Sequence, residues 1–176
     1  MKDSAYLARC HKRLKEWGAP LQDWYCIGVM DTEEDSGGSF TCELCGCSRV
    51  RFVHEMSHKQ YFEDVSVGCI CAGIMEGDIL AAKERERLIK NRARRRSNFL
   101  RRKWKENRWG GYQLKYKGDW ISISGSDRSQ YRVNYKKKSV QMYKGNPITN
   151  FLSAIYAAFD LVDPPIRGQR LWRKRH

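Results

Sequence analysis

Four of the seven cysteines in this 176-residue chain stand in two close pairs, Cys42-Glu-Leu-Cys45 and Cys69-Ile-Cys71. No other feature narrows the fold as much. Two thiolates at C-x2-C can grip one metal ion from a tight turn, and Gly46, directly after them, permits the left-handed backbone such a turn often needs. Cys69 and Cys71 bring the set to four thiolates, the closed tetrahedral complement of a structural zinc site. The expected ligands are therefore Cys42, Cys45, Cys69 and Cys71, and the expected cofactor is Zn2+. The C-x-C spacing cannot put two ligands side by side on a regular helix. Cys69 is accordingly expected at the end of a strand and Cys71 at the entrance of the helix that follows. Cys47 offers a competing pair with Cys45, and His54 or His58 could substitute for a ligand. Cys10 and Cys26 have no partner spacing and read as core residues.

The charge balance speaks about partners rather than fold. Lys and Arg number 34 against 20 Asp and Glu, a formal net charge of +14, and the polyanions met by such a chain are nucleic acids and anionic membranes. No apolar run approaches the ~18–20 residues of a membrane span, so an integral membrane role is not expected. The first residues, "MKDSAYLARCHKRL", lack the apolar core of a secretory signal. A reducing cytoplasm is the expected compartment, and clustered cysteines there are metal ligands before they are disulfides. A hydrophobic fraction of 41% supports a packed core rather than disorder.

Along the chain the pattern predicts an α+β protein in four sections. Residues 1-77 hold an amphipathic helix from about Ser4 to Trp17, stopped by "GAP", then a strand at Trp24 to Met30, an acidic loop and the cysteine module. Between the cysteine pairs, "RVRFVHEMSH" and "FEDVSVG" read as strands of a hairpin that returns the chain to the metal. Residues 78-109 read as a basic helical connector, with Asp78 as N-cap; if continuous, it would span roughly 45 Å. Residues 110-163 carry short alternating runs, "YQLKY", "WISIS", "QYRVNY" and "SVQMY". These predict an antiparallel sheet of three to four strands packed on one helix, with Asn146 as that helix's N-cap and Pro147 at its first position. Residues 164-176 form a basic tail around Trp172.

The order knuckle, hairpin, then ligands at a helix start resembles the treble-clef zinc-finger group, over about Thr41 to Lys90. The resemblance implies a structural zinc that sets the direction in which the basic helix leaves. The strands-then-helix order of the C-terminal section resembles small DNA-binding modules of AP2-type factors and integrase amino-terminal domains, and is similar in topology to double-stranded-RNA-binding domains. His54 and His58, in "VHEMSH", also invite comparison with HNH nucleases. Such a site needs an open, hydrated metal with further His or Asn ligands on the helix, and four cysteines would close it. No enzymatic activity is expected.

The block from Lys83 to Arg108 decides the functional expectation. Early on, "KERER" alternates in sign and can satisfy itself along the helix. From Arg92 the run "RARRRSNFLRRKWK" contains no acid; it repels itself unless an anion neutralises it, and arginine suits bidentate phosphate contacts. The expected phosphate ligands are Arg92, Arg94, Arg95, Arg96, Arg101, Arg102, Lys103 and Lys105. In the sheet, if Leu114, Ile121, Ile123, Val133 and Met142 face the core, then Lys115, Trp120, Ser122, Arg132, Asn134, Lys136 and Tyr143 face outward. That face is basic and carries aromatics, as base stacking or groove insertion would require. The chain is thus expected to bind nucleic acid, DNA before RNA, within or without a larger nucleoprotein complex, and to take no membrane or small-molecule substrate. The alternative is a protein-interaction subunit or inhibitor that docks on a nucleoprotein machine.

Overall fold

Cys10 and Leu14 fall on one side of a helix and are buried in the structure on α1 (Lys2–Glu16), with Tyr6 and Trp17 partly buried beside them. The computed structural model describes residues 2–35 and 37–166. Gly18, at φ +65°, ends α1: its amide donates to the Lys15 carbonyl and the Ala19 amide to that of Leu14, a paired bond arrangement that favours glycine. The described residues form two compact units, one up to Lys90 and the other Asn91–Pro165. The division falls inside the basic segment rather than at its two ends, because the second half of that segment joins the C-terminal core.

In the N-terminal unit, β1 (Tyr25–Asp31), β2 (Phe52–Ser57) and β3 (Val65–Val67) form an antiparallel sheet in that order. The loop expected after the first strand begins as a short helix, α2 (Thr32–Asp35). Val53, Met56, Val65 and Val67 point into a core shared with Leu14, Trp24 and Met75, and Val29 is buried as well. Two helices follow: α3 (Cys69–Glu76) and α4 (Ile79–Leu100). Gly77 stops α3 in the left-handed region at φ 77°, and the Asp78 carboxylate accepts from the Ala81 amide at 2.9 Å, the expected cap of α4. Gly73 lets the two helices meet: a Cβ there would lie 2.6 Å from the Ile79 Cα.

The C-terminal unit holds β4 (Lys105–Glu106), β5 (Tyr112–Tyr116), β6 (Asp119–Ser124), β7 (Arg132–Tyr135) and β8 (Lys138–Val140), one antiparallel sheet in sequence order. Five strands replace the expected three or four, because α4 ends at Leu100 and leaves Lys105–Glu106 extended against β5. "SVQMY" splits, so that β9 (Met142–Tyr143) pairs with β10 (Asn146–Pro147) in a separate hairpin. Asn146 and Pro147 therefore do not start a helix. Instead α5 (Phe151–Val162) begins behind Asn150, whose side chain accepts from the Ser153 amide at 2.8 Å. Leu114, Ile121, Ile123 and Val133 face the core as expected, with Phe99, Ala154, Ala158 and Phe159 packed on the same cluster. Met142 is half exposed, and Tyr143 turns onto Tyr156, with ring centroids 5.8 Å apart. Both depart from the alternation because the strand breaks between Val140 and Met142. Of the basic tail expected at residues 164–176, residues 167–176 lie outside the described residues.

Candidate metal centre and basic surface

The knuckle is built from backbone bonds. The Cys42 amide donates to the Cys47 carbonyl at 2.8 Å and the Gly46 amide to that of Cys42 at 2.9 Å, with Gly46 at φ +76°. This turn brings Cys42 and Cys45 together, and the Phe40–Val50 bridge closes the loop behind them. Cys71 arrives on the first turn of α3. The Sγ atoms of Cys42, Cys45 and Cys71 all lie within 4.8 Å of one another, a group that could hold a metal ion. The Gly68 amide lies 3.4 Å from the Cys42 sulfur, and the Tyr6 hydroxyl sits 2.9 Å from that of Cys71.

Electrostatically Cys42 and Cys71 behave as a pair. A hydrogen bond with Cys71 holds the Cys42 thiol down at about 5, against the cost of burial, while the same contact and burial push Cys71 up. Burial raises Tyr6 as well, helped by Cys45 and Cys71. Cys10 lies beside this group, and no spacing in the sequence marks it as a neighbour. It is buried on α1, lines the same cavity as Cys42, Cys45 and Cys47, and burial raises its thiol while Cys71, Cys45 and Cys42 act on it. Helical periodicity alone could have marked Cys10 as buried, but not as a neighbour of the knuckle.

Cys69 does not join these sulfurs. It is the first residue of α3, not the last of a strand, and the Ala72 amide closes that turn on the Gly68 carbonyl. Two residues along a helix are about 200° apart around its axis, so Cys69 and Cys71 look in nearly opposite directions. Cys69 instead meets His54 of β2 and Glu86 of α4, whose ligand atoms lie within 4.8 Å of one another. Burial first, and then Glu86, raises its thiol to about 12. Burial would raise Glu86, but its contacts with His54, Lys90 and Cys69 outweigh that and hold the carboxyl at about 2. His58 serves the core: its Nδ1 accepts from the Gln60 amide at 2.9 Å and its ring packs on Trp24. Cys26 donates to the Gly28 carbonyl.

The acid-free arginine run meets acids after all, from α5. Arg92 is 1% exposed; its guanidinium donates to Asp160 at 2.7 Å and to the Asp163 carbonyl at 3.1 and 2.8 Å, and it lies over the Phe159 ring. It is a core residue and not a phosphate ligand. Arg95 forms a two-pronged pair with the Asp163 carboxylate, and Arg96 is half-buried against Tyr156. Arg94, Arg101, Lys103, Lys105 and Lys115 are exposed and form no ion pair among the described residues. Arg102 is exposed over Tyr116, and Lys136, in the turn between β7 and β8, reaches Asp119 at 3.5 Å.

The register assigns the outer face of the sheet. Lys105 is opposite Gln113, which is opposite Ser122, then Asn134, then Ser139; Lys115 is opposite Trp120 and Ser124 opposite Arg132. Paired residues share a face, so these positions make one continuous surface without a carboxylate, and Trp120 stands 55% exposed in it. No helix among the described residues is long and apolar enough to cross a membrane. No protein-family model, curated protein or solved structure matches the chain.

Proposed function

We propose that the chain is a zinc-containing nucleic-acid-binding protein, DNA favoured over RNA, with the metal in a structural role. The observation that carries this reading is the acid-free outer face of the five-stranded sheet. Lys105, Lys115 and Arg132 supply cations for phosphates, Gln113, Ser122 and Asn134 supply hydrogen-bonding groups, and Trp120 offers a ring for stacking. Arg94, Arg101, Arg102 and Lys103 add exposed charge on the same unit. Arg95, Arg96 and Lys136 have partners within the protein, and the phosphate role expected of Arg92 is withdrawn because its guanidinium is buried.

For the metal, the donor chemistry points to zinc. Tetrahedral zinc with ~2.3 Å bonds to sulfur needs sulfurs about 3.8 Å apart, a separation inside the 4.8 Å that bounds Cys42, Cys45 and Cys71. Cys10 is the buried thiol best placed to complete the set. Knuckle, hairpin and a ligand on the following helix are the ordering of treble-clef zinc fingers, and that order supports reading the N-terminal unit as one of them, with Cys71 as its single ligand from the helix.

Fluorescence titration with a short duplex DNA, an RNA duplex and single strands, across a range of salt, tests the binding. Expected is binding that weakens steeply with salt, as counterion release demands. Trp120→Ala should cost about 1–3 kcal/mol if a base stacks on it, and Lys115→Ala should lower the salt slope by about one. No binding at low salt to any of these polymers would sink the proposal and favour a protein partner.

A further inference from the structure

We infer that the chain holds a second metal site, separate in its donors from the thiolate cluster, formed by His54, Cys69 and Glu86 and suited to a borderline divalent ion of the zinc class. The three side chains come from three elements, β2, α3 and α4, and their ligand atoms converge within 4.8 Å. His54 is the decisive member. Its side chain is fully buried, and neither ring nitrogen has a hydrogen-bond partner among the described residues. Burying an imidazole whose nitrogens make no hydrogen bond is costly, and an ion held between His54 and the carboxylate beside it would satisfy the ring. Nε2 faces that place, 3.5 Å from the Glu86 Oε2.

Glu86 is held for the role. Lys90 binds its other oxygen, Oε1, at 2.8 Å, leaving Oε2 turned toward His54. A positioned carboxylate with an outer partner is how metal ligands are commonly fixed. The alternative reading, a nucleophilic cysteine with a histidine base, needs the acid behind the histidine and away from the thiol. Here Glu86 touches both His54 and Cys69, so the three donors form a triangle around a point and not a relay. One nitrogen, one sulfur and one carboxylate oxygen suit zinc, cobalt or a similar ion. Three protein donors leave a fourth position for water, the composition found where zinc is not purely structural. The C-x-C spacing then has a physical meaning: two residues within one turn of α3 lie on nearly opposite faces of the helix and send one thiol to each site.

The test is metal stoichiometry in the full-length chain, loaded with Zn2+ and separately with Co2+, whose sulfur-to-metal absorption reports thiolate ligation. About two ions per chain are expected. Glu86→Gln, nearly isosteric, should lose about one ion while keeping the stronger, multi-thiolate cobalt absorption; Cys71→Ser, read under conditions where circular dichroism shows it folded, should do the reverse. Cys69→Ser serves as a second variant if Glu86→Gln fails to fold by circular dichroism. About one ion in the wild type, lost with Cys71→Ser and kept in Glu86→Gln, would overturn the second site and leave the thiolate site standing. A folded chain that binds no metal would overturn both.

Discussion

Replacing Arg92 separates a structural arginine from a recognition arginine. Its guanidinium is buried between Asp160, the Asp163 carbonyl and the Phe159 ring. Truncating one partner of a buried ion pair costs about 3–5 kcal/mol. The Asp160 side chain is 21% exposed, so water recovers part of its solvation and the low end, about 3 kcal/mol, applies. For a unit this small, urea sensitivity sits near the bottom of its range, about 1 kcal/mol per molar, so the unfolding midpoint of the C-terminal unit should fall by about 3 M in Arg92→Ala. Trp104, packed on Phe99, reports that transition by fluorescence. A double-mutant cycle with Asp160→Ala should show coupling of about 1–3 kcal/mol. Wherever the variant is still folded, its affinity for nucleic acid should match the wild type. A midpoint within ~0.5 M of wild type, together with weakened binding, would show that Arg92 meets phosphate and not Asp160; such small stability changes are typical of surface substitutions.

Two further outcomes bear on the N-terminal unit. Gly73→Ala places a methyl group 2.6 Å from the Ile79 backbone, so the junction of α3 and α4 must open; a loss of about 1–3 kcal/mol should appear in thermal melts, and an unchanged melting temperature would contradict that close approach. Removing metal with a strong chelator should unfold the N-terminal unit and expose Trp24, which is buried beside Met75, since structural zinc contributes folding energy directly. Unaltered fluorescence and circular dichroism after complete metal removal would show that the fold does not need the ion.

Much of the secondary structure was legible before any tertiary contact was known. Alternation in "YQLKY" and "WISIS" assigned Leu114, Ile121 and Ile123 to the core, because a strand's two faces follow directly from its period. Glycine and the capping aspartate mark the end of α1 and the start of α4 for equally local reasons. The misassignments have local causes as well. Asn146-Pro147 carries the signature of a helix start, but the same pair can close a hairpin with Met142 and Tyr143, and Asn150 caps the helix instead.

The sequence by itself determined that Cys42 and Cys45 sit on one turn, since C-x2-C followed by glycine leaves little else for that backbone to do. It also determined a large positive charge and the alternation that builds the C-terminal sheet. Only the tertiary structure decided where the charge stays available: Asp160 and Asp163 are far from Arg92 and Arg95 along the chain, and counting charges within a segment cannot see them. It alone separated Cys69 from Cys71, because their spacing acquires a direction only once both residues are wound into α3. And it alone brought Cys10 to the knuckle and His54 to Glu86, pairings made by the packing of helices on a sheet and carried by no local pattern.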